Sequence, residues 1–181
     1  MIENYILMHK GGQDEYRDNV FVNYSSALTL AILYFPTEAD FSVADEASVS
    51  ALVQSSSKMR FTDLSESITP ILTNLKNYML IRIDDKHINI ERHGKVFAYI
   101  VQNGELKMLP NGMSSLEDGD RVICCTGEFM KRLNEVAVLS DAVVSDSAEE
   151  WMDNLVCRIS DKNRLGEGNL TAVTMIVRSG D

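Results

Sequence analysis

Few side chains in this sequence are spaced for chemistry. His9, His87 and His93 are scattered, and none has a partner at metal-ligand spacing, so they read as ordinary strand or loop residues. Cys124 and Cys125 are neighbours on one strand, which points their side chains to opposite faces and makes them packing residues. Three cysteines in all cannot build a disulfide framework or a Cys-rich zinc site. The serines at 25–26 and 55–57 lack a nucleophile elbow or a nearby His, and the chain has neither a Walker loop nor G-x-G-x-x-G. What is left is acid. Asp14-Glu15-Tyr16-Arg17-Asp18 holds three carboxylates in five residues, and Glu128 and Glu167 stand near the ends of two later segments. On composition alone the first stretch is a solvated loop. Its weight comes from the segments that would surround it.

Those segments read as strands, then helices, then strands. Tyr5 to Met8 is a short apolar strand broken by Gly11-Gly12. Val20 to Val22 and Ala27 to Phe35 are rich in β-branched and aromatic residues, with Asn23 to Ser26 as the turn between them. From Val43 the period changes, and the spacing predicts helices over about 44–59 and 62–78. Pro70 either opens a helix at its first position or kinks one. Residues 79–109 read as a meander of MLIRI, HINIERH, KVFAYIVQ and ELKML. Asn103-Gly104 is its strongest hairpin signal, because a type I′ turn needs positive φ at both positions. Arg121 to Thr126 is a buried strand, and Phe129, Leu133 and Val136 suggest a short helix. Ser147 and Glu150 fit a capping box for a helix to about 160, and Leu170 to Val177 is a final central strand. The pattern predicts one α+β layered domain over 1–181.

Four segments carry a resemblance. Gly11 through Asp18, Gly94-Lys95-Val96-Phe97-Ala98-Tyr99 running on to Asn103-Gly104-Glu105-Leu106, Gly119-Asp120 through Thr126-Gly127-Glu128, and Gly168-Asn169-Leu170-Thr171-Ala172-Val173 stand in this order across residues 8–178. Together they resemble the metal-dependent (type 2C, or PPM) protein phosphatases, above all the compact bacterial branch. The resemblance implies a four-layer α-β-β-α sandwich of two antiparallel sheets flanked by helices. It also implies a serine/threonine phosphatase activity using two Mg²⁺ or Mn²⁺ ions held by carboxylates.

Position by position, the resemblance then fails at the chemistry. The metal-binding acids fall on Arg17, Pro36, Gly127 and Gly168, and only Asp18 survives. The phosphate-gripping arginine falls on Gln13. Hard divalent cations need several oxygen ligands in near-octahedral array. Without the metal, water keeps a pKa near ~15.7 rather than about 7, and no nucleophile forms at neutral pH. The expectation is a pseudophosphatase with no catalytic residue, no metal site and no cofactor, whose vestigial cleft is lined by Gln13, Arg17, Asp18, Glu128 and Asn169. Arg17 in that cleft either grips a phosphoryl group or plugs the hole by pairing with Asp14, Asp18 or Glu128, and the ion pair is the favoured reading. Two alternatives stand beside this one: an active phosphatase with a relocated metal site, and a structural or oligomerisation module.

Composition narrows the partners. Of 181 residues, 45% are apolar and 24% charged, which fits a globular chain and excludes a disordered tail or coiled coil as the main architecture. A net charge of −10 repels phosphate backbones and argues against nucleic acid. No apolar run of membrane-spanning length exists, and MIENYILMHKGG does not read as a signal peptide, so the expected place is the cytoplasm. A regulatory role implies a protein partner, a kinase or phosphoprotein by analogy with the family, with homo-oligomerisation left open.

Overall fold

The computed structural model describes residues 1–11, 15–25, 27–35, 41–72, 75–84, 86–161 and 168–178. Two five-stranded antiparallel sheets stack face to face. One runs β1 (Ile2–His9), β10 (Leu170–Val177), β9 (Arg121–Thr126), β6 (Val96–Gln102), β7 (Glu105–Met108). The other runs β2 (Asn19–Tyr24), β3 (Leu28–Leu33), β4 (Tyr78–Ile83), β5 (His87–His93), β8 (Gly112–Ser115). Helices α1 (Val43–Ser55) and α2 (Phe61–Leu72) pack outside the β2–β8 sheet. Helices α3 (Gly127–Met130), α4 (Glu135–Val144) and α5 (Ala148–Asp161) pack outside the other. This is the expected four-layer α-β-β-α sandwich.

Alternation along the strands builds the layers. In β6, Val96, Ala98 and Ile100 enter the core between the sheets, while Phe97, Tyr99 and Val101 turn outward against the helices. Cys124 joins the inner core and Cys125 the outer one, as neighbouring strand residues must. Asn103 (φ 53°) and Gly104 (φ 76°) form the β6–β7 turn with both residues left-handed, as its sequence requires. Helix α1 opens on a complete capping box between Ser42 and Asp45. Its last carbonyls are met from the sheet, where Asn23 Nδ2 donates to Val53 O at 2.9 Å and Gln54 O at 2.8 Å. Arg82 donates to Ser56 O and Met59 O, both at 2.6 Å, closing the 3-10 turn Ser56–Lys58 that follows.

Several boundaries differ from the sequence reading. Helix α2 stops at Leu72 rather than 78, because Tyr78 is drawn into β4, opposite Leu33 and His93. Leu75 continues the apolar spacing but enters the same core from the connecting segment. Pro70 sits inside α2, near its end. Strand β2 runs on through Asn23 and Tyr24, which had read as a turn, and Ser26 lies outside the described residues. The one short helix expected near Phe129 is two helices, of which α4 is the longer. Strand β8 carries no apolar alternation and gave no signal. At α5, Ser147 Oγ accepts from Glu150 N at 3.0 Å, but Glu150 Oε2 returns to Asp146 N, so only half the capping box forms.

The thiols test this register. Burial of Cys124 and Cys125 pushes both thiols well above their ordinary range, whereas Cys157 on α5 is exposed. Titration of the native protein with Ellman's reagent is expected to find a single reactive thiol, rising to all three cysteines in denaturant. Rapid labelling of Cys124 or Cys125 in the native state would contradict the packing described.

Candidate functional site

Strand register gathers the singled-out segments at one end of the sandwich. His9 pairs with Leu170, Asn19 with Leu33, and Val96 with Thr126. The end of β1, the start of β2, the end of β3, the end of β9 and the start of β10 therefore converge.

At their meeting point lies Asp18, fully buried. Its Oδ2 accepts from Thr171 Oγ1 at 2.5 Å, and its Oδ1 accepts from the Phe35 N–H at 3.1 Å. Tyr16 lies behind, its hydroxyl 2.7 Å from Thr171 Oγ1. With Asp18 ionised, the one Thr171 proton goes to the carboxylate, so Tyr16 donates to Thr171. Burial raises the Asp18 pKa above the ordinary carboxylate range, the Thr171 and Phe35 hydrogen bonds pull it back, and the nearby Glu128 charge raises it further. Burial also pushes up the phenols of Tyr16 and Tyr34, helped by the same carboxylates.

Glu128, in the short helix α3 after β9, is the second acid here. It pairs with Lys131 and lies 3.9 Å from the buried Arg132 guanidinium, while Tyr34 Oη donates to its Oε1 at 3.4 Å. Its stem runs against Gly168. A Cβ on Gly168 would fall 2.9 Å from Glu128 Cγ, and the glycine holds φ +95°, a conformation that other residues adopt only with strain. A Cβ on Gly127 would meet Lys95 Cβ and O at 3.2 Å. Glu128 thus fills the space into which a side chain at 168 would grow.

The remaining expected residues fall as follows. Asn169 is buried, and its amide, turned so that the oxygen faces N–H groups, accepts from Arg17 N at 2.7 Å and Asp18 N at 3.2 Å. Its role is to fold the loop that delivers Asp18. The Arg17 side chain is exposed and makes no ion pair among the described residues. The favoured plug therefore does not form with Asp18 or Glu128: Asp18 is met by Thr171 and Phe35, and Glu128 by Lys131. Gln13, Asp14 and Pro36 lie outside the described residues. Sequence reasoning missed Tyr16, Tyr34 and the Lys131–Arg132 pair. Only the last had a local signal, as cations three and four residues beyond Glu128.

The described side chains do not fit a two-metal centre. Both Asp18 oxygens already accept hydrogen bonds, the Glu128 charge is met by an ammonium, and positions 127 and 168 offer no side chain. Among the described residues, no three His, Cys, Asp or Glu come together around a point where a cation could sit.

The architecture is that of the type 2C protein phosphatases, and it supports the resemblance carried by the four sequence segments. RsbX, solved with magnesium, superposes with a TM-score of 0.75 at 16% identity, over 97% of this chain and 95% of that one. A bacterial serine phosphatase gives 0.79 at 10% identity over 100% of both chains. PppA of Pseudomonas aeruginosa, described as a key regulatory component of T6SS, gives 0.72 at 8% identity over 97% of both. No protein-family sequence model matches the chain, and no curated protein sequence matches it significantly. The likeness is one of fold.

The raised Asp18 pKa has a consequence for stability. A carboxyl whose folded pKa lies above its unfolded value, near ~3.9, contributes fully below that value, and the contribution is lost as pH rises through the folded pKa. Asp18→Asn removes the titration and keeps an acceptor for Phe35 N–H. The variant is expected to match wild type near pH ~4 and to melt higher at pH 7–8. Thermal melts across that range check this, and a variant less stable than wild type at neutral pH would contradict it.

Proposed function

We propose that this chain is a pseudophosphatase: a type 2C phosphatase fold that performs no phosphoryl hydrolysis and works by binding a protein partner in a regulatory, phosphorylation-linked circuit. The observation that carries the reading is the interlock of Glu128 with Gly168. Where the resemblance places a metal-binding acid, the chain has a left-handed glycine, with the stem of a neighbouring glutamate packed against it and that glutamate's charge met by Lys131 and Arg132. The change is structural as well as compositional, because a returning Asp at 168 would find its space taken. Among the neighbours in fold, PppA is described as regulatory, which supports a role exercised on other proteins. Among the described residues no helix is long and apolar enough to cross a membrane.

Two measurements test the proposal together. The purified chain is expected to release no phosphate from p-nitrophenyl phosphate or a phosphoserine peptide, with or without Mn²⁺. Its melting temperature is also expected to stay unchanged on Mn²⁺ addition. A site with a Kd 100-fold below the Mn²⁺ concentration would add about 2.7 kcal/mol of stability. For a chain of this size that is a shift of roughly 5–10 °C, so a flat melt is decisive. Mn²⁺-dependent turnover abolished by Asp18→Asn would establish the relocated metal site instead.

Restoring the family's acid should not restore the metal. Gly168→Asp is expected to cost about 2–3 kcal/mol, from the left-handed backbone and the collision with Glu128. It should still give no Mn²⁺-dependent stabilisation; a gain in melting temperature with Mn²⁺ would show that the loss of one acid, rather than the interlock, disabled the centre.

A further inference from the structure

Helix α4 carries apolar residues on both its buried and its outward face. Its sequence, EVAVLSDAVV, buries Ala137, Val138, Asp141 and Ala142 against β7 and α5, and Asp141 is held there by both arms of Arg158 at 2.6 Å. The opposite face carries Val136, Ser140, Val143 and Val144, with no charge, and the three valines are 77%, 59% and 66% exposed. A helix with this pattern ordinarily lies buried on both sides. Exposed valine brings no helix-forming advantage either, since the preceding turn restricts its χ1. The outward faces of α2 and α5 behave differently: they carry Glu66 and Ser67, and Glu149, Glu150 and Asp153. The strip extends onto the sheet. Leu106 of β7 packs in the outer core beneath the helices, and Met108, two residues on and so on the same face, is 48% exposed.

We propose that the outward face of α4, continued by Met108, docks a short cationic amphipathic segment of another protein. Size and charge choose the occupant. A ten-residue helix spans about 15 Å, and a strip of that length and one helix wide falls well short of the ~800 Å² per partner of a standard stable interface. Two copies of a chain with net charge −10 also repel each other, whereas a Lys- or Arg-bearing segment is attracted. At the strip's ends Glu135, Asp146 and Glu150 are exposed. Of the cations around it, Lys107 pairs with Glu105, Lys131 with Glu128, Arg158 with Asp141 and Arg178 with Glu3, while Arg121 donates to Ser145 O at the end of α4, near Asp146 and Glu150. The apolar anchors would supply affinity and the acidic balance would set orientation and encounter rate.

The inference rests on the reading of this chain as a binding module, but its test does not touch the cleft, so either can fail alone. The probe is a synthetic 16-residue helix with Leu at i, i+3, i+4 and i+7 spacing and Lys elsewhere, titrated into the ¹⁵N-labelled full chain at about 0.15 M salt. A Glu-for-Lys peptide is the control. Amide shifts are expected to concentrate on Val136, Ser140, Val143, Val144 and Met108 for the Lys peptide only. The triple variant Val136→Ala, Val143→Ala, Val144→Ala should bind it at least ~10-fold more weakly. Because Ala is the better helix former, the same variant should melt no lower than wild type, which separates docking from structural damage. Equal binding by the triple variant, or shifts spread over the acidic surface or centred on the cleft, would overturn the proposal. So would a concentration-dependent dimer that the triple variant abolishes, since the occupant would then be a second copy.

Discussion

The Asp18 carboxylate is the tie between the two sheets at the end where the loops converge. It stands just before β2, takes one hydrogen bond from the backbone that leaves β3 and another from a side chain of β10, and so joins one sheet to the other. A fully buried carboxylate is costly to keep without partners, and these donors make it tolerable. Asn169 holds the approaching loop through the Arg17 and Asp18 amides, and Tyr16 backs Thr171. An acid that the family resemblance casts as a metal ligand serves here as a structural acceptor. Its donors are protein groups, so the tie needs no ion.

The same economy runs through the rest of the cleft. Glycines occupy two positions where the resemblance implies acids, and each is hemmed in by a neighbour, Glu128 at one and Lys95 at the other. The charge of Glu128 is balanced within three and four residues of its own segment. A fold shared with the type 2C phosphatases does not by itself carry their chemistry.

How much of this could be read from the sequence depended on periodicity. The meander from Met79 to Leu109 was legible because alternation and an Asn-Gly turn agree, and β10 because an apolar and β-branched run, interrupted only by Thr171 and Thr174, marks a central strand. Helix α4 was not, since a helix with valine on both faces has no 3.6-residue contrast to detect. Nor was the clasp on Asp18: Phe35 follows β3 in one sheet and Thr171 lies on β10 in the other, and only strand register brings them to one end. The exposure of Arg17 followed from the same cause, because a side chain's partners at a loop are set by tertiary neighbours and not by its own segment.

The placement of β10 also decides when the molecule can become itself. In the β2–β3–β4–β5 ladder each strand pairs with the next strand in the chain, β2–β3 and β4–β5 as local pairs and β3–β4 across helices α1 and α2. In the other sheet β10 lies between β1 and β9, with Ile2 opposite Val177. Before β10 arrives, β1 has no ladder partner and the outer core beneath α5 is open on one side. Long-range pairings of this kind form late, because the loop must be closed before any contact rewards it. Assembly therefore ends at the cleft: the strand that closes the outer core is also the one that brings Thr171 to Asp18.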